Sequence, residues 1–164
     1  MPSTEKEQFI RVFERELPTT LKVLRAFPAD KSSYKPHERS STAHTLAWTF
    51  VIENQLAMAG LKGPLNMGAG MPKPPDKFDD IISTYEKSAR EYMAALKAAP
   101  DSRLDEKLTF PSGPGTMGEM RVMDFLWMMF LDAIHHRGQM SVYLRPVGGK
   151  VPSIYGPSGD EPWF

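Results

Sequence analysis

Phe125-Leu-Trp-Met-Met-Phe-Leu131, running straight into Asp132-Ala-Ile-His135-His136-Arg137-Gly138-Gln139, is the stretch on which the fold turns. Its seven apolar residues form the longest such run in the chain, far short of the about 20 needed to span a bilayer. No strand-like alternation follows, and the charged residues that succeed it keep helical spacing. The stretch therefore reads as the buried centre of a long last helix, about 118–144. A capping box, Thr116-x-x-Glu119, is expected to open it by pairing orphan backbone N–H groups.

Three more helices stand upstream. Thr4-x-x-Glu7 is a second capping box, followed by Phe9, Ile10, Phe13, Leu17, Leu21 and Leu24 at a helical period. Pro18 should bend this helix and Pro28 should close it. Ser40-Ser-Thr42 offers caps for a helix running to about Gly60, apolar on most sides and so well buried. Asp76 can cap a third, over 77–98, with Phe78, Ile81, Ile82, Tyr85, Ala89, Tyr92 and Leu96 on one face. Nothing alternates with period two for long enough to predict a sheet. The expected fold is all-α, a four-helix bundle whose long connections require a crossover. It is expected to form one domain over residues 1–164, with 146–164 a Pro/Gly-rich coil that packs on the bundle and closes one end of the site.

Composition narrows function. The 164 residues are 41% hydrophobic and 24% charged, with 20 basic and 20 acidic side chains and no cysteine. A zero net charge without a basic stripe argues against nucleic-acid binding. The charged N-terminus lacks an export signal and no segment can cross a membrane, so a cytoplasmic protein is expected. Without cysteine, thiolate metal sites and nucleophilic thiols from the chain itself are excluded. Eleven methionines, six of them crowded between Met117 and Met140, read as flexible core filler.

Chemistry concentrates on two helices. Asp132 and His136 are one turn apart and project from the same face, half of a divalent metal site or a plain ion pair. On the second helix, Glu53 falls about 20° from Leu46 and so lies within the apolar stripe marked by Leu46, Phe50 and Ala57. A carboxylate there must be paired, protonated or metal-bound. Thr49 flanks the stripe one turn earlier. His44 faces away and His37 lies in a loop. Arg137 is expected to form an ion pair on the helix surface, with anchoring of an anionic group as the alternative. Tyr143 and Arg145 should be structural. The terminal Trp163-Phe164 is expected to dock on its own bundle or on a partner subunit.

His135-His136-Arg137-Gly138-Gln139, with Val142-Tyr143-Leu144-Arg145, Gly148-Gly149 and Pro152-Ser153-Ile154-Tyr155-Gly156, resembles the last helix and tail of the DinB/YfiT-like family. Ser41-Thr-Ala-His-Thr-Leu46-Ala47-Trp48 with Glu53 resembles its second helix, so the resemblance covers essentially the whole chain. It implies a crossover helical bundle, a homodimer, and a divalent ion such as nickel or zinc on three histidines. One of these comes from the second helix and two from an H-x-x-x-H in the fourth. In this sequence the last ligand falls on His136, the other fourth-helix position is Asp132, and the second-helix position is Thr49. Two positions depart from the pattern, and two readings follow. In one, Glu53, Asp132 and His136 converge as metal and catalytic residues around zinc, nickel, manganese or iron. The resemblance then implies a small-molecule substrate and transfer of a low-molecular-weight thiol such as bacillithiol, mycothiol or glutathione, or hydrolysis. In the other, the fold persists without the ion as a stress-associated or small-molecule-binding protein.

Overall fold

The computed structural model describes residues 3–66, 68 and 70–164. Helix α1 spans Glu5–Arg25 and runs unbroken through Pro18. Its capping box forms as the sequence requires. Glu7 N donates to Thr4 Oγ1 at 3.1 Å and Thr4 N to the Glu7 carboxylate at 2.8 Å. Helix α2, Ala43–Lys62, starts at Thr42, whose hydroxyl accepts from Thr45 N at 3.1 Å. It runs past Gly60, which is no stop signal. A Cβ there would lie 2.7 Å from the Phe125 ring, so this glycine permits close approach of two helices. Helix α3, Phe78–Ala98, is capped by Lys77 rather than Asp76, without a side-chain bond. Asp79 and Asp80 in its first turn complement the helix dipole instead.

The last connection corrects the sequence-based expectation. A short helix α4, Asp101–Asp105, leads into strands β1, Lys107–Gly113, and β2, Thr116–Arg121. The two strands pair antiparallel, with Thr109 opposite Glu119 and Leu108 opposite Met120. Thr116 and Glu119 therefore belong to a strand, and α5 spans Val122–Leu144. Pro111, Gly113, Pro114, Gly115 and Gly118 explain why this segment rejects a helix. Gly115, at φ 68°, makes the left-handed turn that a hairpin needs.

Helix α1 packs mainly against α3 and α5, and α2 against the same two. The pairs α1/α2 and α3/α5 thus occupy opposite corners of the bundle, and the chain crosses the bundle end twice. Among the described residues no helix is long and apolar enough to cross a membrane.

Two apolar clusters fill the bundle. One holds Leu24, Phe50, Ile81 and Leu144, the other Phe9, Phe13, Leu96 and Leu126. Between them along every helix lies a buried polar residue: Glu16 and Thr20 on α1, Glu53 and Asn54 on α2, Ser88 on α3, Arg137 on α5. A polar layer therefore divides the core at mid-height.

Beyond α5 a 3-10 turn, Arg145–Val147, leads into coil. This coil is tied down by charge. Asp160 accepts from Arg145 and from Val151 N, both at 2.9 Å, and Glu161 accepts from Lys22 Nζ at 2.6 Å. The terminal aromatics do not dock on the bundle, since Trp163 is 57% exposed and Phe164 wholly so. Pro162 and the two acidic anchors before it stop the chain at the surface.

Candidate metal centre

Contact between α2 and α5 brings together the three residues singled out by sequence. His136 Nδ1 lies 2.6 Å from Glu53 Oε1 and 4.0 Å from Asp132 Oδ1. One ligand atom from each residue falls within 4.8 Å of the others. Glu53 comes from the buried stripe of α2, where it is 4% exposed. His136 is half-buried and Asp132 stands at the rim.

Electrostatics follow from that gradient. Burial pushes the Glu53 carboxyl up to about 7, against the opposing pull of His136. The Glu53 carboxylate in turn raises His136 above its ordinary value, outweighing burial. Each partner thus favours the charged form of the other, against the cost of burial, across a 2.6 Å contact. Glu53 Oε2 is buried without a hydrogen-bond partner.

These features fit a divalent cation. An unpaired buried carboxylate oxygen is costly and gains most from a positive partner. One imidazole and two carboxylates suit zinc, manganese or iron and leave positions open. An ion held here would take the place of the direct Glu53–His136 contact.

The remaining candidates lie elsewhere or play other parts. Thr49 donates its hydroxyl to Thr45 O at 3.2 Å, one turn before Glu53. His135 is exposed and contacts Gln139 at 2.8 Å. His44 bonds Pro75 O at 2.9 Å, and His37 accepts from Arg39 N at 3.1 Å, so neither reaches the cluster. Tyr143 is buried, donating to Ser41 O at 3.2 Å, and Arg145 holds the tail, both structural as expected.

Arg137 overturns its expectation. It is 2% exposed rather than a surface residue, and its guanidinium reaches Glu16 at 2.9 Å, Thr20 at 3.2 Å and the Tyr155 hydroxyl at 2.5 Å. Tyr155 donates on to Glu16 at 2.7 Å. The tail thus lays the largely exposed Tyr155 ring against the guanidinium of the residue that follows His136, with only its hydroxyl reaching the buried pair. Sequence reading missed Glu16, Thr20 and Tyr155. The signal for the first two was present, because Glu16 and Thr20 lie within about 20° of Phe9 on the wheel of α1.

Outside the cluster an open groove of about 770 Å³ runs between α2 and α5, lined by Glu53 and Asp132 at one end and reaching Phe110 and Asp124. The cluster is therefore reachable by a small molecule.

The sequence profile of the DinB family matches residues 1–162. The chain belongs to the DinB family. Among DinB relatives, the uncharacterized protein YrdA of Bacillus subtilis (strain 168) is 25% identical over 156 residues, 94% of this chain and 90% of that one. A DinB-like protein, YjoA, from Bacillus subtilis superposes with a TM-score of 0.71 at 18% identity, covering 96% of this chain and 99% of its own. A DinB-like protein from Bacillus cereus ATCC 10987 gives 0.73 at 25% identity, over 90% and 95%. The DinB fold thus extends over nearly the whole chain.

Proposed function

We propose that this protein is a divalent-metal-dependent enzyme of the DinB family, with Glu53, Asp132 and His136 as its metal and catalytic residues. The observation that carries this reading is the buried Glu53 carboxylate, bonded to His136 through one oxygen and unpartnered at the other. Glu53 and His136 would hold zinc, manganese, iron or nickel from the buried side, and Asp132 from the rim. When bound, the ion supplies Lewis-acid activation of a water or thiol. Glu53 serves as third ligand or as general base, and in the ion-free site burial raises its carboxyl to about 7. His136 keeps that carboxyl oriented. The chain has no cysteine, so a thiol-transfer reaction would take its sulfur from a low-molecular-weight thiol. Thiol transfer to a small-molecule substrate and hydrolysis are the two reactions this centre supports. The exposed Trp163 and Phe164 support a homodimer, and a cytoplasmic setting accords with a cysteine-free chain.

Elemental analysis of untagged protein purified without chelator tests the proposal, beside an Asp132→Ala/His136→Ala variant. Near-stoichiometric metal in the parent, lost from the variant, is expected. A metal-free parent that also takes up no added zinc, manganese, iron or nickel overturns it. That outcome favours a non-catalytic binding protein, a reading supported by Thr49, whose hydroxyl is already committed to Thr45.

A further inference from the structure

The groove beside the metal centre has walls of one chemistry and ends of another. Ile52 and Leu56 of α2 face Trp127, Met128 and Leu131 of α5, and β1 contributes Phe110. The polar lining is Thr49, Glu53, Asp124, Asp132 and His135, and no lysine or arginine lines it. Its size falls within the range of small-molecule sites, about 300–1,000 Å³.

Among the described residues paired at the far end, carboxylates outnumber the guanidinium that they share. Arg121 contacts Asp124 at 3.0 Å, Glu5 at 2.7 Å and Asp105 at 3.2 Å, so three carboxylates share one guanidinium. Glu5 also accepts from Trp127 Nε1 at 3.2 Å, which fixes the indole in the groove wall. On the hairpin, Lys107 is paired with Glu119 at 3.4 Å and brings no free positive charge. Asp124 and Asp132 stand about 12 Å apart along α5. The groove therefore has the reacting centre at one end, an apolar middle, and an acidic terminus.

We infer that the groove takes a hydrophobic amine, with its apolar or aromatic body along Ile52, Leu56, Trp127 and Leu131 and its protonated nitrogen at Asp124. This assignment rests on the proposed reaction at Glu53, Asp132 and His136 for calling the occupant a substrate. The acidity at Asp124 is independent of any ion at that centre. An anionic substrate meets at the far end only Arg121, which Asp124, Glu5 and Asp105 already share.

The test compares two probes with the same body and opposite charge, 4-phenylbutylamine and 4-phenylbutyrate. Each is titrated calorimetrically into the metal-free full-length protein at neutral pH and low salt. The amine is expected to bind about tenfold more tightly, with Asp124→Asn removing about fivefold of that preference. Leu131→Lys, at a position 60% exposed and so compatible with folding, is expected to erase or reverse the preference. Circular dichroism confirms that both variants are folded. Equal affinities, tighter binding of the butyrate, no binding of either probe, or a preference that survives Asp124→Asn each overturn the assignment. Elemental analysis of the same preparations separates the two readings. Amine preference without metal uptake leaves the groove assignment standing and removes the proposed chemistry. Metal uptake without amine preference does the reverse.

Discussion

At the scale of single residues, two carboxylates on two helices obey the same rule. Glu53 and Glu16 both sit at the centre of an apolar stripe, and both are buried and paired, one with an imidazole and one with a guanidinium. Only Glu53 was read from sequence, because its place on the apolar stripe of the second helix demands a partner and Asp132 and His136 offered one. Glu16 was passed over as one charge among many on α1. Burial raises the Glu16 carboxyl, but the Tyr155 hydroxyl and the Arg137 guanidinium outweigh this and hold it below its ordinary value. A lowered folded-state value means that its contribution to stability is complete above the ordinary carboxylate range and fades as the pH falls through the folded value. Urea melts should therefore show Glu16→Gln less stable than the parent at neutral pH, with the gap closing on acidification. Arg137→Ala, which strands the buried Glu16, should cost about 3–5 kcal/mol in the same melts. A gap that is constant with pH would mean that Glu16 is not the titrating partner.

Among the elements, the long helices were readable and the hairpin was not. Four amphipathic or wholly buried segments span several turns each, and their caps at Thr4 and Thr42 formed as the residues dictate. The β1–β2 hairpin offers only short strands that are largely exposed, so no alternation of buried and exposed positions announces it. Thr116-x-x-Glu119 matched a capping box by spacing alone, although Gly118 between them weakens a helix and favours the hairpin. A Cβ at Gly118 would meet Ser112 Oγ at 2.9 Å, so the strands close only over hydrogen. The same close approach governs where α2, α5 and β1 meet. A Cβ at Gly60 would come within 2.9 Å of two Phe125 ring carbons and 3.1 Å of Leu108. The Phe125 ring and the Leu108 side chain are both buried and cannot swing aside. Gly60→Val should therefore overpack this junction and cost about 2–3 kcal/mol, read as a lower melting temperature without loss of helical signal. An unchanged melting temperature would show that the junction is looser than these distances state.

Across the whole molecule, the polar layer separates two apolar clusters, and the unpartnered buried atoms of the described residues lie in it or beside it. Glu53 Oε2 and the Tyr92 hydroxyl are both buried without partners, and both residues line the small internal void beside the layer. Each unpaired group costs free energy that the surrounding clusters must offset. A cation at Glu53, Asp132 and His136 would remove the larger of these penalties and tie α2 to α5 at mid-height, where apolar packing is interrupted. Binding to the folded state alone must then raise stability by mass action, by about 2.7 kcal/mol at a hundredfold excess over the dissociation constant. For a chain of this length that corresponds to a rise of about 5–10 °C in melting temperature. The increase should appear with zinc in the parent, vanish in His136→Ala, and be accompanied by slower amide exchange in the central turns of α2 and α5. Zinc that binds without raising the melting temperature, or that raises it equally in His136→Ala, would place the ion away from this layer.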